Sequence, residues 1–229
     1  MVDSQILDNM LFDIDVDKLR KKLHVGEGTD DADALNRLVH RALSIGKPKA
    51  MYRIANIDSR GGDYVVVDGK TFTSRVLKVN LKHAHRVFCY TVTCGTELEE
   101  WSESITDMVE NFWVDSIKEI ALRNAYDILA EHLNEKYDLG KTSTMSPGSL
   151  EDWPLKEQRI LFTILGNTKD AIGLELTDSL LMVPTKSVSG IRFATEENFE
   201  SCLLCQREGC QGRRAKYDKD LYDHKYRAK

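Results

Sequence analysis

Three cysteines stand close together near the end of the chain, as Cys202-x2-Cys205-x4-Cys210. Thiolates at such spacing can hold zinc or an iron–sulfur cluster. A structural zinc site takes four ligands, and no fourth is evident beside these three. Cys89 and Cys94 lie far back in the chain, and His224 lies beyond the cluster. Free thiols in an irregular tail are the third reading. Cys89 sits in an apolar run and reads as a small buried hydrophobe. Arg213 and Arg214 follow the cluster and suit an acidic patch, a phosphate or plain solvent.

A second stretch, "LTDSLLMVPTKSVSGIRF" from Leu176 to Phe193, sets Thr177, Ser179, Thr185, Ser187 and Ser189 among strand-like apolar residues. Small hydroxyl residues beside Pro184 and Gly190 permit close backbone approach to a ligand and offer short hydrogen-bonding groups. The plain alternative is that they satisfy one another across a hairpin. His83 and His85 are two apart and suit a metal only on one extended face; loop histidines are the simpler reading. There is no Gly-rich dinucleotide or phosphate loop, no serine nucleophile elbow and no H-E-x-x-H pair.

The elements that must carry these residues follow from periodicity. Leu35, Leu38, Val39, Ala42 and Leu43 form a helical stripe, with Asp30 or Asp31 to cap it and Gly46 to end it. "AMYRIANID" and "DYVVVDG" predict strands, the second closing on the turn pair Asp68-Gly69. "RVFCYTVTCG" predicts a central strand, being apolar and β-branched. Leu98, Trp101 and Ile105 start a helical period, and a long helix is predicted from about 109 to 137. "KTSTMSPGSLEDW" reads as an interruption, after which Pro154 opens another helix with Asp152 just before it. "AIGLELT", "SLLMVP" and "VSGIRF" read as strands. Strands, long helices and strands again predict an α+β fold, a mainly antiparallel twisted sheet packed with long helices.

The chain has 229 residues, 41% hydrophobic and 30% charged, enough for a sizeable core. A net charge of −5 gives no reason to expect nucleic acid as a partner. No signal peptide or membrane span is visible, so the cytoplasm is the expected compartment. Five cysteines are an odd number, against a complete disulfide framework.

Three segments in order, "TVTCGTELEEW", "SPGSLEDWPLKEQ" and "LTDSLLMVPTKSVSGIRF", resemble the reactivation domain of cobalamin-dependent methionine synthase. The third is the most specific, through Ser179, Met182, Pro184 and the run Ser187-Val188-Ser189-Gly190. The resemblance covers roughly residues 87–193. It implies residues 1–85 as N-terminal helices and strands of the same domain, 86–195 as the activation-domain-like core, and 196–229 as a cysteine-containing tail.

In that family the domain closes over a cobalamin module and presents S-adenosylmethionine. A donated electron and the methyl group then restore methylcobalamin from its oxidised form. The work of the domain is orientation. Carried over, the resemblance implies ligand contacts at Asp127, Pro147, Gly148, Met182, Pro184, Ser187, Ser189 and Gly190, with Arg192, near the hairpin's end where the family has tyrosines, as a further candidate contact. The cysteine tail lies outside the resemblance; its clustered thiolates predict a metal, zinc or an iron–sulfur cluster, bound through Cys202, Cys205 and Cys210. The partners implied are the cobalamin-binding module of a corrinoid methyltransferase and an electron donor.

The chain departs from the family at Thr144 and Ser149, where an arginine and a tyrosine are usual. The arginine fork suits a carboxylate. Lys141 offers a point charge nearby, and Arg192 is a candidate to take over from another side. The expected function is reactivation of a methionine synthase lacking its own activation domain. The alternative is a non-catalytic interaction or redox module with a metal-binding tail that no longer takes S-adenosylmethionine.

Overall fold

The computed structural model describes residues 3–210 and 212–227. In chain order the elements are β1 (Gln5–Leu7), α1 (Val16–Leu23), α2 (Asp30–Ile45), β2 (Lys49–Gly61), β3 (Tyr64–Val67), β4 (Lys70–Thr73), α3 (Arg75–Asn80) and β5 (Arg86–Thr93). There follow α4 (Thr96–Glu103), α5 (Met108–Tyr137), β6 (Thr142–Met145), α6 (Gln158–Leu165), α7 (Thr168–Ile172), β7 (Glu175–Leu176), β8 (Met182–Val183) and β9 (Ser187–Ala194).

One antiparallel sheet runs β4-β3-β2-β5-β9-β6, with β1 also on β2. Strand β5 is central and buried along nearly its whole length, as its apolar, β-branched run predicts. The α+β architecture expected from the element order is the one observed. The first 85 residues supply β2, β3 and β4, so the N-terminal part and the core share one sheet.

The two faces of the sheet are covered differently. Helix α5 lies over β2 and β5, where Ala125, Leu129 and Leu133 meet Tyr52, Phe88, Tyr90 and Val92. These helix positions recur every four residues and so share one stripe. Helix α6 lies on the opposite face, where Leu161, Ile164 and Leu165 meet Cys89, Ile191 and Phe193. Alternation sends successive residues of one strand to opposite covers. Burying each such side chain stabilises the fold by about 1.5–3 kcal/mol.

Several local expectations are corrected. Thr29, not Asp30 or Asp31, caps α2, its hydroxyl accepting from Ala32 N at 3.2 Å. "KTSTM" is strand β6 rather than a turn, because β9 offers it an edge to pair with. "AIGLELT" begins with the last two residues of a short helix, α7, and only Glu175–Leu176 of it is strand. Asp152 does not cap the helix after Pro154; its carboxylate accepts from Val76 N at 2.9 Å and Arg75 N at 3.2 Å, capping α3. Residues from 196–229, expected as a tail beyond the core, also enter it. Phe199 and Tyr226 are buried in it, and Tyr226 donates to Asn80 Oδ1 at 2.8 Å. No helix among the described residues is long and apolar enough to cross a membrane.

Candidate functional site

Because α5 stops its cover at β5, the same face of β9 and β6 is left partly open. Val188 and Arg192 on β9, and Thr142, Thr144 and Ser146 on and just after β6, are half-buried. Their alternates Ser143, Met145, Ser189, Ile191 and Phe193 are buried on the α6 side. The "TSTMS" alternation thus puts a row of hydroxyls on one face and the apolar methionine on the other.

Gly190 lies at the floor of this open strip. A Cβ there would come within 2.6 Å of Met145 O and Ser146 Oγ and 2.9 Å of the Tyr90 hydroxyl. The glycine is required by close approach of β6 and Tyr90, not by an unusual φ. Tyr90 is fully buried; burial first, then Tyr126, pushes its phenol well above the usual tyrosine range. The Tyr90 and Tyr126 rings lie 5.8 Å apart, edge to face.

Arg192 completes the strip. It stands directly opposite Thr144 in the β6–β9 register. One terminal nitrogen donates to Thr142 Oγ1 at 2.8 Å, the other to the Tyr126 hydroxyl at 3.2 Å. Asp127, the next residue on α5, is exposed. Pro147 is buried and Gly148, with φ 83°, turns the chain out of β6. Gly148 N donates to Trp153 O at 2.8 Å, so this loop is tied down rather than loose. Ser149, where the resemblance expects a tyrosine, is exposed and donates to Ser146 O at 2.5 Å.

Gly190 and Arg192 are therefore brought to the open strip, with Pro147 and Gly148 at its end. Met182, Pro184, Ser187 and Ser189 are not on it. Met182 packs on Met51, Ile172 and Leu174. Ser189 faces α6 and accepts from Gln158 Nε2 at 3.1 Å. Ser187 donates to Pro184 O at 2.7 Å. Thr177 and Ser179 bond each other at 3.0 Å and brace the hairpin tip. Thr185 donates from its N–H and hydroxyl to the two Glu99 oxygens, at 3.0 and 3.2 Å. The hydroxyls of this stretch are thus used locally, as the plain reading allowed.

Tyr90, Tyr126, Thr142 and Ser146 were missed by sequence reasoning. The period-two alternation of Thr142, Thr144 and Ser146 was the available signal. Tyr126 carried none, since its position on α5 reads equally as core stripe.

The cysteines do not form a ligand set. Among the described residues no three His, Cys, Asp or Glu side chains are close enough to hold a metal ion. Cys202, Cys205 and Cys210 are free and half-buried. Their loop is organised by a cation already: Arg213 donates to Cys202 O and Cys205 O at 3.1 Å, and also to Arg207 O. The sequence expectation of metal at these three residues is not met by the geometry.

Two comparisons bear on this arrangement. The sequence pattern of the family described as vitamin B12 dependent methionine synthase, activation domain, matches residues 147–206. That segment runs from the loop after β6 through β9 into the cysteine region. Among solved structures, the MetH reactivation domain bound to AdoHcy superposes with a TM-score of 0.60 at 14% identity, over 87% of this chain and 81% of that one. No curated protein sequence matches the chain. The resemblance read from the sequence is borne out: the chain has the reactivation-domain fold, and its C-terminal part carries the activation-domain pattern.

Proposed function

We propose that this chain reactivates a cobalamin-dependent methyltransferase, most directly a methionine synthase lacking its own activation domain. S-adenosylmethionine lies along the open strip of β9 and β6, and the cobalamin module of a partner closes over it. The observation that supports this best is the strip itself: a row of half-buried hydroxyls with one arginine, left partly open beside β2 and β5, which α5 covers. The ligand in the related solved structure points the same way.

The methyl group, the electron and the cobalamin all come from outside this chain. What its residues do is bind and orient. Gly190 lets β6 and Tyr90 close up beneath the ligand. Pro147 and Gly148 shape the loop at one end, and Asp127 on α5 is offered to the ligand amine. Holding the donor in one pose removes much of the entropic cost of a two-body methyl transfer. No residue of the strip needs to act as acid or base.

The test is a reconstitution. A methionine synthase without its activation domain is loaded with oxidised cobalamin and given S-adenosylmethionine and a chemical electron donor. Addition of this chain should restore the methylcobalamin spectrum. No gain over the reaction without the chain overturns the proposal.

A further inference from the structure

Among the described residues, no carboxylate pairs with the Arg192 guanidinium. Arg60 of β2 donates to the backbone oxygens of Leu81 and Ala84, and other half-buried or buried cations near the sheet face carboxylates. Arg53 faces Asp68 at 3.4 Å, Arg75 faces Asp63 at 3.1 Å and Lys118 faces Glu99 at 2.8 Å. Arg192 instead meets two neutral hydroxyls, those of Thr142 and Tyr126. Its Cζ lies 5.5 Å from the centre of the Tyr126 ring, a cation–π distance. Its Nε is buried and has no hydrogen-bond partner among the described residues.

A guanidinium has five donors, and only two are engaged here. The hydroxyls and the ring fix the direction of the fork without offsetting its charge. Leaving a partly buried cation uncompensated, with an orphaned donor, costs free energy unless something completes it. In a chain of net charge −5 such a group is not a surplus cation in a basic surface. Thr144 opposite it is short and half-buried, so it leaves the fork uncovered.

We infer that Arg192 is a carboxylate anchor: the carboxylate of a bound small molecule completes the guanidinium in a bidentate contact on the open strip. This rests on the reading of the strip as the S-adenosylmethionine site, and it assigns the amino-acid end of that ligand to the Arg192 end of the strip. The planar fork matches a carboxylate as a lysine ammonium does not.

The experiment is calorimetry on the full chain with S-adenosylhomocysteine and with 5′-methylthioadenosine, which lacks the amino-acid end. Wild type should prefer the first compound. Arg192→Gln should weaken S-adenosylhomocysteine roughly ten- to hundredfold, the loss of a charge-assisted contact, and leave methylthioadenosine unchanged. Tyr126→Phe keeps the ring and should weaken it only a few-fold. If Arg192→Gln does not fold, Arg192→Lys carries the test, since it keeps the charge and loses the fork. Unchanged affinity in these variants overturns the anchor and leaves the site reading standing. Normal ligand affinity with loss of the corrinoid partner's binding would assign Arg192 to a partner carboxylate instead. Absence of binding by wild type to both compounds overturns the site reading and the anchor together.

Discussion

Lys118 donates to Glu99 at 2.8 Å between side chains only 7% and 12% exposed. The same carboxylate accepts twice from Thr185, so one buried pair ties α4 and α5 to the turn that opens β9. Lys186 adds a contact to Asp115 of α5 at 2.8 Å. The strand that carries Gly190 and Arg192 is therefore lashed down at its start. Lys118→Ala leaves a carboxylate unpaired and should cost about 3 kcal/mol, toward the low end for a broken buried pair because Thr185 still donates. Urea unfolding with unchanged m measures it.

Burial pushes the Glu99 carboxyl upward, but the hydrogen bonds from Lys118 and Thr185 outweigh it and hold the group below the usual range. A depressed carboxyl adds stability above its unfolded pKa of about 4.3, and that part is lost as pH falls through the folded value. The stability gap between wild type and Glu99→Gln should be constant from neutral pH down to about 5 and should shrink below about 4. A gap that instead shrinks between pH 6 and 8 would assign the effect to another group.

Gly190→Ala puts a methyl group within 2.6 Å of Met145 O, a backbone atom that cannot swing away. Strand β6 must shift, at a cost of about 1–3 kcal/mol. Because Thr142 and Ser146 move with β6, reactivation should fall further than the melting temperature suggests. Full activity with a melting temperature like wild type would remove Gly190 from the strip.

Tyr226 is fully buried, its ring on Phe199 at 6.2 Å and its backbone oxygen accepting from Arg75 at 2.8 Å. Tyr226→Ala should cost about 3–5 kcal/mol, as for other large aromatic truncations. Removing residues 196–229 should abolish cooperative unfolding. A truncated chain that melts cooperatively near the wild-type temperature would show the tail to be separable.

Replacing Cys202, Cys205 and Cys210 together by serine should leave thermal unfolding nearly unchanged, because Arg213 and backbone carbonyls hold their loop. Arg213→Ala should loosen it, seen as faster amide exchange over residues 202–215. Stoichiometric metal in purified wild type, lost in the triple variant, would show instead that the thiolates gather in solution.

The sequence by itself determined the α+β class, the central strand around Cys89, the long helix from about 109 to 137 and the family resemblance over roughly residues 87–193. These are legible because periodicity and turn chemistry are local and repeat over many residues. It also marked Gly190 and Arg192, the first through a motif and the second through position beside it.

Which residues share a face was decided by the tertiary structure. Ser189 and Arg192 are three apart, yet strand alternation and the reach of α5 put one against α6 and the other on the open strip. Strand β6 exists because β9 gives "TSTM" an edge, and that pairing brings Thr142 and Thr144 beside Arg192 from fifty residues away. The hydroxyls of 177–189 suit ligand contacts or local bonding equally by spacing, and their partners, Glu99 and Gln158 among them, are set by the packing. Local spacing records what a side chain can bond; only packing over long sequence separations decides what it does bond, because the partners are set by where helices and strands come to rest.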